Sequence, residues 1–355
     1  MTTNRVPYDG GRPRQPATQA CLVMDPTTSR FPQAYSLSEI ESHQFSIARP
    51  CIHNDADLTR FLSGTSAQGY LSFVLFLNDS VAGVSNSHVD SSKQCVQMLV
   101  DMLHTLKSWV SEIPPLDKHA APHRRFGNPA YRTWAAKVSE ESLGMMRALV
   151  EKTVPFHNSS LSKDTIESIA LELNSYFIQS FGNQTRIDYG TGHETCFVAM
   201  LYCMATLGLL EKEDAKDIVC IVFREYLDTV RTIQRVYCLE PAGTRGVWGL
   251  DDYQILPFLW GSSQLVEQVT IKPSSIHSME ILNEYCETYL YVGCIKFIRD
   301  MKAGPFHETS PMLHDISGLE SWKKINGGMV KLYMGELLSK IQVMQHFLLG
   351  SIITM

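Results

Sequence analysis

Residues 95–115 read CVQMLVDMLHTLKSWVSEIPP. Val96, Leu99, Val100, Leu103, Leu106, Val110 and Ile113 recur at steps of three and four. That spacing lays them on one face of a helix, and Pro114-Pro115 ends it. The same period runs outward from this stretch. In DTIESIALELNSYFIQSFGN (164–183), Asp164 is placed to cap, Ile166, Ile169, Ala170, Leu173 and Phe177 form the stripe, and Gly182 suits the stop. Residues 213–237 open on Glu213 and Asp214 and continue through Ile218, Val222, Tyr226, Val230 and Ile233. Helices are also predicted over 279–301, ended by Gly304-Pro305, and over 329–341, with Val330, Tyr333, Leu337 and Ile341 in register. Alternating β patterns are scarce. The expected class is all-α, with helical lobes sharing a cleft.

The rest of the chain bounds what it does. Its 355 residues are 44% hydrophobic and 19% charged, with a formal net charge of −6. No basic arm points to nucleic acid, and no apolar run has the length of a membrane span. The nine cysteines form no C-x-x-C pair, and their number is odd. This fits free thiols in a reducing compartment, hence a cytoplasmic protein, with entry to the nucleus left open. Residues 1–30 are rich in Pro, Gly, Thr and Arg and are expected to form a mobile tail, with residues 31–355 as a single domain.

Four segments rich in Gly, Arg, Asp, His and Trp are expected between the helices: 124–134, 181–194, 243–265 and 304–322. Familiar catalytic signatures are missing from them. His193-Glu194 has no second histidine at the zinc-binding spacing, and Gly190 and Gly192 lack the third glycine of a dinucleotide loop. No phosphate loop and no nucleophile elbow is present. A paired-carboxylate hydrolase stays open through Asp188, Glu194, Asp251 or Asp252. Against it, one residue of Asp251-Asp252 caps a helix near Tyr253 and the other is solvated. Rotation about an X–Pro amide needs no nucleophile, only an apolar slot and a site that favours the twisted amide. Trp248, Tyr253, Phe258 and Trp260 could line that slot, with Gly246 and Gly249 letting backbone come close. Core packing explains the same aromatics equally well.

FGNPAYRTW (126–134), GNQTRIDYGTGHE (182–194), EPAGTRGVWGLDDYQILPFLWGSSQL (240–265), GPFHETSPMLHDIS (304–317) and VMQHFLLGS (343–351) resemble, in order and spacing, the activators of protein phosphatase 2A, first called phosphotyrosyl phosphatase activators. The likeness runs from about residue 37 onward, and the shorter C-terminus is similar to the fungal type. The resemblance implies an all-α fold of core, lid and linker around a deep cleft. It implies binding to the phosphatase catalytic subunit, peptidyl-prolyl cis/trans isomerase activity, a link to ATP and magnesium, and peptide-induced homodimers. Carried onto this sequence, Trp248 and Asp252 become catalytic candidates. Gly246, Val247, Trp248, Gly249 and Tyr253 become contacts for a proline-containing peptide. Arg132, Asp188, Gly190, Thr191, Gly192, His193, Pro305 and Met312 become nucleotide contacts, and Asp251 and Asp252 metal contacts. The glycine N–H groups near 190–192 would form an anion nest. Arg132 suits a phosphate by its forked donors, or else a buried ion pair with Asp188. Thr309 and His314 depart from the family pattern.

Overall fold

The predicted period becomes helix along most of the chain. The structure, a computed structural model, describes residues 24–88, 92–117, 127–154, 161–243 and 249–355. Helices α1 (Leu37–Ser42), α2 (Asp55–Leu62) and α3 (Thr65–Ser80) lead into α4 (Gln94–Glu112), α5 (Ala130–Thr153) and α6 (Lys163–Gln179). Then come α7 (Thr191–Thr206), the single turn α8 (Ala215–Asp217), α9 (Arg224–Tyr237) and α10 (Leu256–Gln264). The chain closes with α11 (Met279–Tyr285), α12 (Leu290–Met301), α13 (Phe306–Thr309), α14 (Pro311–Ile316), α15 (Trp322–Leu332) and α16 (Ile341–Met344). The strands are two residues each. β1 (Arg49–Pro50) pairs antiparallel with β4 (Leu348–Leu349), and β2 (Asp188–Tyr189) pairs parallel with β3 (Glu240–Pro241). The all-α expectation holds, and one buried apolar cluster runs from Met24 to Ile353.

Several boundaries differ from the sequence reading for physical reasons. The α6 cap is Ser162, whose hydroxyl accepts the Thr165 N–H at 3.0 Å, so Asp164 sits inside the first turn. The helix of 213–237 is continuous but contains a π turn at Ile218–Phe223. The helix of 279–301 breaks into α11 and α12. Between them the Glu287 and Thr288 carbonyls accept from Asn86, and the Leu290 N–H donates to Gln264 Oε1 at 2.9 Å. The helix of 329–341 starts earlier, at Trp322, and changes to a second π turn at Tyr333–Leu338. The tail of 1–30 is also too long. Met24 is 3% exposed, Asp25 accepts from Thr27 and Thr28, and the Arg30 N–H donates to Ser72 on α3. Residues 1–23 lie outside the described residues. All four expected loop segments run into helices: 130–134 opens α5, 191–194 opens α7, 256–264 is α10, and 304–322 contains α13 and α14.

Two features set the frame. One is a clasp. Glu172 of α6 is fully buried, and its carboxylate accepts from Ser46 N–H (3.1 Å), Ser351 N–H (2.7 Å), Ser351 hydroxyl (2.5 Å) and Ile352 N–H (3.0 Å). It thus holds the β1 and β4 ends of the chain against α6. The other is α10, which is buried along its whole length. Trp260 donates to the Val74 carbonyl, and the Asn326 amide reaches the Leu259 carbonyl. At Gly261 an added Cβ would fall inside contact distance of the Tyr291 backbone nitrogen and 2.9 Å from Tyr291 Cα. Backbone cannot yield there as a side chain can. Gly261→Ala is therefore expected to destabilise by ~2 kcal/mol through overpacking; an unchanged urea midpoint would contradict this close crossing.

Candidate functional site

The parallel pairing of β2 with β3 brings residue 188 beside 240 and residue 189 beside 241. The Glu240 N–H donates to the Ile187 carbonyl and the Ala242 N–H to Tyr189. That pairing opens one side of a cleft of about 1000 Å³. A second side is the first turn of α7, with Thr191, Gly192 and His193. A third is the Asp251–Ile255 segment before α10. The last is Glu336 and Leu337 of the second π turn, with Lys340, Val343 and His346 beyond it. A π turn shifts side chains off the helical register, and Glu336 and Leu337 of this one both line the cleft.

Local chemistry fixes each wall. The Arg186 guanidinium Nε lies 2.6 Å from Asp188 Oδ2, while Asp188 Oδ1 is buried without a protein partner. His193 Nδ1 is 2.6 Å from the Gln179 carbonyl. A carbonyl only accepts, so Nδ1 carries the proton and Nε2 of the neutral ring is an acceptor. Burial lowers the His193 pKa, and the His193 ring stacks on Tyr189. Burial, then Arg186, lowers the His346 pKa as well. Tyr189 meets Tyr226 hydroxyl to hydroxyl at 2.7 Å, and Tyr226 donates to the Ser180 carbonyl. Asp251 Oδ2 accepts the N–H groups of Tyr253 (3.1 Å) and Gln254 (2.9 Å), a turn-forming arrangement. Burial raises the Asp251 pKa. Asp252 pairs with Lys302 at 2.7 Å, and Lys302 also donates to the Thr309 carbonyl.

Of the residues singled out in the sequence, the cleft gathers Asp188, Thr191, Gly192, His193, Asp251 and Asp252. Gly190 stands just behind it: an added Cβ would meet Ala242 Cβ at 2.9 Å, so glycine lets α7 start close to β3. The anion nest is corrected. Gly190 is extended (φ −172°) and Thr191 begins a helix, so the free donors of this wall are those of a helix N-terminus.

Arg132 is corrected too. It is exposed, it donates to the carbonyls of Gln184 (3.0 Å) and Thr185 (3.1 Å), and the partner expected for it, Asp188, is taken by Arg186. The aromatic slot dissolves into core. Phe258 and Trp260 are fully buried against Tyr291 and Phe223, and the Tyr253 hydroxyl donates to the Leu239 carbonyl. Gly249 is buried, and neither it nor Tyr253 lines the cleft. Pro305 is exposed and Met312 packs on the core, both off the cleft wall. The Thr309 hydroxyl donates within its own helix, and His314 contacts His277 and His307. Gly246, Val247 and Trp248 lie outside the described residues. The metal reading of Asp251 and Asp252 does not fit: one carboxylate closes a turn and the other is neutralised by Lys302. Among the described residues, no group of three or more His, Cys, Asp or Glu is arranged to hold a metal ion.

A family model described as phosphotyrosyl phosphate activator (PTPA) protein matches residues 48–355, which include all four walls of the cleft. The chain belongs to the PTPA family. A probable serine/threonine-protein phosphatase 2A activator 1 of Dictyostelium discoideum is 41% identical over 90% of this chain and 93% of its own length. An activator 1 of Schizosaccharomyces pombe is 38% identical over 88% of this chain and 92% of its own. Among PTPA structures, that of the PP2A phosphatase activator Ypa1 superposes with a TM-score of 0.75 at 30% identity, covering 87% of this chain and 94% of that one. PTPA membership also accounts for residues that the sequence reading left unassigned. Arg186, Glu240, Val343 and His346 all stand inside the strings that carried the resemblance.

Proposed function

We propose that this chain activates the catalytic subunit of protein phosphatase 2A, engaging it through the cleft at the α7 N-terminus. The names of the PTPA relatives support the partner. The observation that carries the site is the meeting of family strings far apart in sequence on one cavity of about 1000 Å³.

Peptidyl-prolyl isomerisation belongs to the same proposal. Pro241, Ala242, Ile255, Leu337 and Val343 give the cleft an apolar strip for a prolyl ring. The Thr191 and Gly192 N–H groups and the neutral His193 ring offer donors and an acceptor beside it. A chain that holds the twisted amide better than either planar form lowers its barrier of roughly 18–20 kcal/mol without any covalent step. Trp248 remains the sequence-based candidate for contact with the ring, and Asp252 acts as a pair with Lys302. Peptide-induced dimers and a cytoplasmic location, where scattered thiols stay reduced, complete the reading.

A binding clamp with a composite nucleotide site is the second reading, and one observation favours it. The cleft is lined by five carboxylates (Asp188, Glu240, Asp251, Asp252, Glu336) against two lining cations, Arg186 and Lys340, and Lys302, which is held on Asp252. The first turn of α7 with Arg186 fits a phosphate group, but the surrounding walls repel a bare polyphosphate. ATP would enter with its charge already compensated, by magnesium it carries or by cations of the partner. Capture of the phosphatase catalytic subunit by this chain is therefore expected to strengthen about tenfold when ATP and magnesium are added together, and not with ATP alone. No capture under any of these conditions would overturn the activator reading. Capture indifferent to nucleotide would remove the composite site.

A further inference from the structure

Glu194 sits in the first turn of α7, directly after His193, and is fully buried. Its Oε2 accepts the N–H groups of Ile255 (3.0 Å) and Leu256 (3.1 Å). These are the donors at the start of α10, a helix with no side-chain cap from its own N-cap residue and with proline in its first turn. His193 and Ile255 line the cleft on two different walls. A single carboxyl group therefore ties the α7 wall to the 251–255 wall. Its second oxygen, Oε1, is buried with no hydrogen-bond partner in the protein.

We propose that Glu194 is a positioning residue: as a neutral acid it fixes the separation of the two cleft walls, and activation of the phosphatase depends on that separation. The functional half rests on the activator reading; the tie itself does not. The neutral form follows from the surroundings. Burial raises the Glu194 pKa to about 8, against the two N–H groups that lower it; Asp251 on the facing wall raises it and Arg231 of α9 lowers it. The other titratable groups facing it are Tyr70 of α3, Tyr189 of β2, Tyr226 of α9, Tyr333 of the second π turn and Cys294 of α12. Burial raises the pKa of each of these above its ordinary value, so they stay uncharged while Glu194 titrates. Glutamine has the shape of the neutral acid and keeps one oxygen for the two N–H donors; alanine keeps neither.

A carboxyl whose pKa is raised on folding weakens the fold as pH rises from its ordinary value of 4.5 to about 8. Glu194→Gln lacks that slope. The full-length variant should match wild type in activating the phosphatase catalytic subunit at pH 7, and should melt above wild type at pH 9 but not at pH 5. Glu194→Ala should lose about tenfold in activation, since small misplacements of binding groups carry effects of that size. Amide hydrogen exchange at 255 and 256 reads the tie without reference to activity. Protection should persist in Glu194→Gln and fall at least tenfold in Glu194→Ala. Intact protection in Glu194→Ala overturns the tie. Lost protection with wild-type activation overturns the positioning role. A Glu194→Gln protein that behaves like the alanine variant, or melts with the wild-type pH dependence, overturns the neutral-acid assignment even if Glu194→Ala does not fold. If wild type itself fails to activate, the activator reading falls, and the exchange data still decide the tie.

Discussion

Glu172→Ala is expected to lower the free energy of unfolding by ~4 kcal/mol, because hydrogen bonds to a charged group contribute ~1.5–3 kcal/mol each and do not add fully. The carboxylate accepts four donors on two oxygens, from Ser46, Ser351 (twice) and Ile352. Alanine leaves three backbone N–H groups at the clasp without an acceptor. Glutamine is not expected to rescue, because each oxygen serves two donors, and an amide nitrogen at either position would face both of them. The contrast with Glu194 is in the wiring: there only one oxygen is used. Urea unfolding of Glu172→Ala and Glu172→Gln checks this. A loss under ~1 kcal/mol in the alanine variant, the size of one ordinary hydrogen bond, would show that the clasp adds little.

Gly192→Phe is expected to abolish cleft function, with capture of the phosphatase catalytic subunit reduced by about a hundredfold, while the fold is preserved. A ring of this size removes a buried contact surface worth several kcal/mol. Gly192 lines the cleft, and an added Cβ meets only Val343 Cγ1 at 3.7 Å, an ordinary contact. Growth beyond Cβ is therefore directed into free volume and not into core. Replacing glycine in a helix also gains up to ~1 kcal/mol of helical preference. The melting temperature should thus be unchanged or raised. Wild-type capture by a folded Gly192→Phe protein would separate the cleft from the activator role.

The sequence made one kind of helix easy to read. α4, α6 and α9 bury one face, so their apolar residues keep a step of three and four. α7 and α10 did not announce themselves, because nearly every residue on them is buried and a helix apolar all round has no stripe. The aromatics of α10 were mistaken for a possible slot for the same reason: Phe258 and Trp260 serve the core, and spacing alone does not separate the two uses. Site residues were legible where a chemical group and a glycine-bearing turn coincided, as at Asp188 and at 191–193. Glu336 and Leu337 were not, because a π turn leaves no mark in the periodicity. Lys340, Val343 and His346 reach the cleft only through the tertiary return of the chain. The Arg132 assignment failed on a choice between two arginines: Arg186, two residues from Asp188, is the nearer partner and took it.

The pairing of residues 49–50 with 348–349 has a kinetic side. It joins points about 300 residues apart, and such a closure is both late and entropically slow to find. Until residues 351 and 352 arrive, the α6 carboxylate has only the Ser46 N–H as a backbone donor. Partly synthesised chains would then expose the surfaces it seals, and refolding in vitro would show a slow final phase that reports the closing of this one ring.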